Sequence, residues 1–209
     1  MMKKSMVLVV TVMLIAAMLS GCNGPTPAIS AGDYCARLST MKDALDAKEL
    51  ADISTMLIGI PKNDFDDLDG WRAEKDVNNQ DIFVCSTTLN GQAVDIELGF
   101  DGNKVESVTY YFLNATADHL MDYTIYDNGV GENRRISVGS DVNSMEEVKD
   151  DGTVAERFAK SIAAKEDCSV NVDWDYTNSK GTAARIYYSF VYAASEGDMF
   201  FSLTKFSLY

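Results

Sequence analysis

Histidine is almost missing from this chain, which has one imidazole, His119, in 209 residues. A serine or cysteine nucleophile usually takes its base from imidazole, so any such triad has to run through His119. No Gly-x-Ser-x-Gly elbow stands near it. A Cys–His pair built on Cys35 or Cys168 is the one formal exception. No second histidine and no cysteine pair at short spacing exist to hold zinc. No glycine-rich phosphate cradle follows a strand, since Gly129-Val130-Gly131 is too short and sits in a loop. No cofactor motif is present. Basic residues are also scarce: 18 Lys and Arg face 32 Asp and Glu, for a net charge of −14. A body this acidic is repelled by phosphate backbones and anionic headgroups, which excludes nucleic acid as a natural partner. Carboxylate pairs for glycoside hydrolysis stay open, because acids occur all along the chain and their separations are not legible in sequence.

The one long apolar run comes first. Lys3 and Lys4 precede about 14 mostly apolar residues from Met6 to Leu19, and the segment closes on Leu19-Ser20-Gly21-Cys22. That length fits a signal-peptide core and falls short of the ~20 residues a permanent membrane span needs. The stretch resembles the signal sequence of bacterial lipoproteins. The resemblance implies removal of residues 1–21, lipid attachment to the Cys22 thiol, acylation of the new amino terminus, and a place in the bacterial cell envelope outside the cytoplasm. Two or more acyl chains, at ~0.8 kcal/mol per buried CH₂, anchor stably where one would bind only marginally. The competing expectation is plain secretion with Cys22 as an ordinary thiol.

Four cysteines leave three, Cys35, Cys85 and Cys168, once Cys22 is assigned to lipid. They allow at most one intrachain bridge, in any of three pairings, and sequence does not choose among these or a set of three buried thiols. Residues 22–32 carry two of the chain's three prolines, Pro25 and Pro27, with Gly24 and Gly32, and read as a flexible tether. The folded body is expected from about Asp33.

Tyr34, Leu38, Met41 and Leu45 line one side of a helix with Asp33 as its N-cap. Asp46 and Glu49 open a second helix through Leu50, Ile53 and Leu57, ended by Gly59 and Pro61. Asn63 to Gly70 is an acidic loop. It misses the EF-hand calcium pattern, with Phe65 at position one and Asp76 in place of the closing Glu. The period then changes. Segments 81–89 and 92–100 flank Asn90-Gly91, the dipeptide of a type I′ hairpin, pairing Leu89 with Gln92, Thr87 with Val94, Cys85 with Ile96 and Phe83 with Leu98. A further turn at Asp101-Gly102-Asn103 leads to a strand from Val105 to Leu113, and residues 122–126 add a short one. Asn128–Arg135 reads as a loop and Ser140–Val148 as a brief helix. Thr153 and Glu156 begin a firmer helix through Val154, Phe158 and Ile162. Val170 to Tyr176, Thr182 to Ala193 and Met199 to Tyr209 read as strands.

The expected fold is α+β, an antiparallel sheet with helices packed on one face, arranged as two helix-then-meander halves, 33–127 and 128–209. With Leu57-Ile58-Gly59-Ile60-Pro61 closing its second helix, this layout resembles the β-lactamase inhibitor protein family and the small lipoprotein of the outer-membrane barrel-assembly machine. The resemblance implies protein-binding work and assigns no binding residue. The expected role is therefore a tethered, non-catalytic module for an envelope protein or peptide, with a solute-binding or hydrolase lipoprotein as the alternative. Tyr188, Phe190 and Tyr192, with Tyr110 and Phe112, are candidate contact aromatics; the competing expectation packs the same rings beneath the helices. Replacement Cys22→Ser is expected to move the protein from the membrane to the soluble fraction of lysed cells, and unchanged membrane retention would refute the anchor.

Overall fold

The computed structural model describes residues 29–112, 130–140, 145–148, 153–195, 197 and 199–208. The leader, Cys22, His119 and the strand expected at 122–126 lie outside them. Three helices are described, α1 (Ala31–Thr40), α2 (Ala47–Leu57) and α3 (Thr153–Ala164), with a short 3-10 helix at Lys62–Phe65. Among the described residues no helix is long and apolar enough to cross a membrane. Nine strands are found among the described residues: β1 (Trp71–Lys75), β2 (Asp81–Leu89), β3 (Gln92–Asp101), β4 (Lys104–Phe112), β5 (Glu132–Gly139), β6 (Glu146–Val148), β7 (Cys168–Thr177), β8 (Ala183–Ala193) and β9 (Met199–Leu208). They form one antiparallel sheet in the order β1-β2-β3-β4-β9-β8-β7-β5-β6. The protein is thus mostly β with some helix.

The first helix starts earlier than the sequence suggests. Ser30, not Asp33, is its N-cap, with Oγ accepting the Asp33 N–H at 3.0 Å and donating to the Asp33 carboxylate at 2.7 Å. Ile29 beside it is buried, so the last residues of the stretch read as tether belong to the body. Helix α2 is capped by Asp46 through the Glu49 N–H at 3.0 Å, as its sequence indicates. It ends before Gly59, whose φ of +94° is the left-handed region that glycine enters without strain.

The Asn90-Gly91 turn takes φ values of +48° and +72°, as a type I′ turn requires, and all four expected pairs of the β2–β3 hairpin are present. Three elements differ from expectation. Strand β1 was not expected, because Trp71-Arg72-Ala73-Glu74-Lys75 has one large apolar residue and lies mostly exposed along the sheet's edge. Strand β5 occupies half of the segment read as a loop; its Ile136 and Val138 sit opposite Val172 and Val170 of β7. Residues 146–148 form the short outer strand β6 against β5 rather than the end of a helix, since pairing with Ile136 gives Val148 a place against the core.

One hydrophobic cluster runs from α1 and α2 through β2, β3 and β4 to α3, β7 and β8. At its centre three hydroxyls meet: Tyr110 of β4 is 2.7 Å from Tyr34 of α1 and 2.7 Å from Ser54 of α2. All three residues are fully buried, and burial pushes the Tyr34 phenol well above its usual pKa, helped by Tyr110. A second polar tie joins α2 to the β7–β8 turn. Tyr176 donates its hydroxyl to Asp52, whose carboxylate also accepts the Ser179 N–H at 2.9 Å. Further along, Phe158 of α3 packs at steep ring angles against Phe190 and Tyr192, at centroid distances of 5.1 and 6.4 Å. Replacing Tyr110 by Phe strands two buried hydroxyls at once, each costing about 1–3 kcal/mol. The variant is expected to melt several degrees lower than wild type in thermal circular dichroism, with Ser54→Ala falling less.

Candidate functional site

The aromatic rows singled out in the sequence belong to the core. Tyr188, Phe190 and Tyr192 are 2%, 0% and 2% exposed. Tyr110 is fully buried, and Phe112 packs half-buried against the cluster. Tyr188, Phe190, Tyr192 and Tyr110 are thereby taken out of contact with solvent, because alternation along β8 turns Phe190 and Tyr192 towards the ring of Phe158 and along β4 turns Tyr110 towards the helix hydroxyls, while Phe112 reaches the border of the hollow described next. Cys85 points to the same side through its pairing with Ile96 but is only half-buried.

The strand register places a different set of residues on the second face of the sheet. Opposite-facing neighbours of the core rows are Arg72, Val84, Glu97 and Thr109 in one line and Ser86, Asp95, Tyr111, Leu203 and Ser189 in the next. Beyond them Phe201 pairs with Val191 and Met199 with Ala193. Tyr111, Phe201 and Met199 are 36%, 44% and 47% exposed, which makes them large apolar side chains facing solvent from adjacent strands. They border a hollow of about 620 Å³ whose floor includes Ile82, Val84, Val191 and Leu203. Ile82 and Val84 are buried yet stand apart from the main hydrophobic cluster, since their side chains lie on this second face.

Charge is distributed unevenly over the same face. Towards β5, Arg135 lies 3.2 Å from Asp175 and 3.6 Å from Asp173, while Arg185 lies 3.7 Å from Asp173, a ladder of mutual neutralisation. Around the hollow, Arg72 pairs with Glu74 and donates to Ser86 Oγ at 3.2 Å, and Ser86 donates to Asp95 at 2.5 Å. Burial raises the Glu97 carboxyl above its usual pKa, and the negative charges of Asp76 and Glu74 add to this against the pull of Lys205. Burial raises the Tyr111 phenol too, with Glu97 and Asp76 contributing. The hollow thus carries an apolar floor, an aromatic lip and an excess of negative charge. Its chemistry suits an apolar side chain accompanied by a cation.

Sequence reasoning missed Tyr111 and Phe201 because each stands next to another aromatic, Tyr110 and Phe200, so composition alone does not say which neighbour faces out. The register of β4 against β3 was the missing signal. Comparison with protein-family models, curated proteins and solved structures gives no match for this chain.

Because the folded-state pKa of Glu97 is raised, the native state binds its proton more readily than the unfolded chain, so stability is lost as pH rises through the window above the ordinary carboxylate value. Glu97→Gln removes that loss. The variant is expected to melt higher than wild type at pH 7, with the difference closing as pH falls below about 4. A melting difference that does not change between those pH values would refute the assignment.

Proposed function

We propose that the protein is a lipoprotein of the bacterial cell envelope, held at the membrane by acylated Cys22, whose body binds a protein or peptide without catalysing a reaction. The leader supports the anchor: a basic start, a short apolar core and a cysteine directly after Ser20-Gly21 are the pattern of lipid attachment. In this reading all three helices cover one face of the sheet and leave the other to a partner. The observation that carries the binding role is the exposure of Tyr111, Met199 and Phe201 around one apolar hollow, bordered by Asp95 and Glu97. Aromatic and methionine side chains concentrate at protein interfaces, where rigid rings bury much area for little lost freedom. The acids select a partner segment that places Lys or Arg beside its apolar anchor, and the strongly acidic body would speed its approach.

The test is a photo-crosslinking residue introduced at Met199 of the full-length protein in intact envelopes. Capture of one discrete partner is expected, reduced at least tenfold when Tyr111 and Phe201 are both changed to Ala, as loss of about 1.4 kcal/mol or more of binding energy requires. The double variant should keep its thermal transition, since neither ring belongs to the core cluster. A diffuse set of adducts insensitive to the double change would overturn the proposal.

A further inference from the structure

Of the three free thiols among the described residues two converge, and the third is out of reach. Cys35 lies on α1 and Cys85 on β2, yet both line one small cavity of about 130 Å³ between that helix and the strand edge, together with Leu38, Trp71 and Thr87. Trp71 connects them. It is the cross-strand neighbour of Cys85, and its indole N–H donates to the Cys35 sulfur at 3.3 Å. The main-chain bonds from Asn90 and Gly91 to the carbonyls of Met41 and Lys42, at 3.0 and 2.8 Å, fix the end of α1 against the β2–β3 turn. The end of the helix and the strand turn are therefore held together, and both cysteines line the cavity beside that junction. Cys168, by contrast, begins β7, five strands away from β2 in the sheet order. At ~4.8 Å per strand that is about 24 Å, against the roughly 7 Å limit between the Cα atoms of a disulfide.

We propose that Cys35 and Cys85 are a redox pair that closes into a disulfide across this cavity, tying α1 to β2. The oxidant is a disulfide-bearing molecule. The Cys35 thiolate, whose sulfur already accepts the Trp71 N–H, attacks it and forms a mixed disulfide, releasing one thiolate. The Cys85 thiolate then attacks the Cys35 sulfur, forming the internal bond and releasing the second. Two protein thiols are oxidised, one external disulfide is reduced to two thiols, and the two protons pass to solvent or to the departing sulfurs. Burial raises both thiols above the usual pKa, which keeps the reduced form protonated and makes closure faster as pH rises. A helix that starts at Ala31, just after the stretch leading from Cys22, is thereby fastened to the sheet at the point where a pull on that stretch would arrive.

The pairing does not depend on the anchor or on the binding face, and the test is separate from theirs. The full-length Cys22→Ser protein, reduced and then incubated with oxidised glutathione, is alkylated and mapped by non-reducing peptide mass spectrometry. Two thiols are expected to disappear into a single Cys35–Cys85 peptide, with Cys168 still alkylated. Cys168→Ser should leave that bridge intact, while Cys35→Ser and Cys85→Ser each stop at a glutathione adduct. Emission from Trp71 should fall on oxidation and recover with dithiothreitol, and the change should vanish in Trp71→Phe. A bridge containing Cys168, dimers in place of the internal bond, or glutathione adducts that persist on the chain bearing both cysteines would overturn the proposal.

Discussion

The backbone ladder between β4 and β9 is what makes one sheet from two strand groups. Six residue pairs, from Ser107↔Ser207 to Phe112↔Ser202, join the meander β1–β4 to the strands β5–β9. Without that ladder each group would expose a long, largely apolar edge, with unpaired N–H and C=O groups that cost free energy wherever they leave water. Side chains reinforce the same line. Tyr110 meets Phe206 edge-on at 5.7 Å while its hydroxyl holds both α1 and α2. One residue therefore ties the strand seam to the helix pair. The seam also joins segments far apart in sequence, and such pairings pay loop-closure entropy before any contact rewards it, so they tend to form late.

Local chemistry was legible wherever a short-range rule applies. Asn90-Gly91 specified both a turn type and a hairpin register, and Asp46 with Glu49 specified the start of α2. The alternation from Val170 to Tyr176 specified which side of β7 is buried. Elements that draw their stability from neighbours were not legible. Strand β1 has little apolar character of its own and exists through the edge of β2, and β5 is held by β7 although its opening residues are glycine-flanked and charged. The start of α1 was misplaced because Ser30 sits among residues whose composition suggests a linker, and only the burial of Ile29 reveals that the chain has already entered the body.

The candidate site shows the same division. That aromatics crowd β4, β8 and β9 is evident from sequence, but the side they face is a property of the whole sheet. Tyr188, Phe190 and Tyr192 lie on one side of β8, while Tyr111 of β4 and Phe201 of β9 lie on the other side of the sheet. A shift of one residue in any register would exchange these roles. The second face is itself divided, with Arg135, Arg185, Asp173 and Asp175 neutralising one another towards β5 and acids in excess near the hollow. This arrangement concentrates negative potential beside exposed apolar surface.

The margins of the sheet carry a last consequence. One border is β1, with Arg72, Glu74 and Lys75 along an exposed strand, and the other is β6, three residues long and bearing Glu146 and Glu147. Such borders are poor templates for another chain, because one is lined with charged side chains that an added strand would have to desolvate and the other offers too few backbone groups to bond. A wide sheet bordered in this way presents little along either margin onto which a second copy could zip to start a fibre.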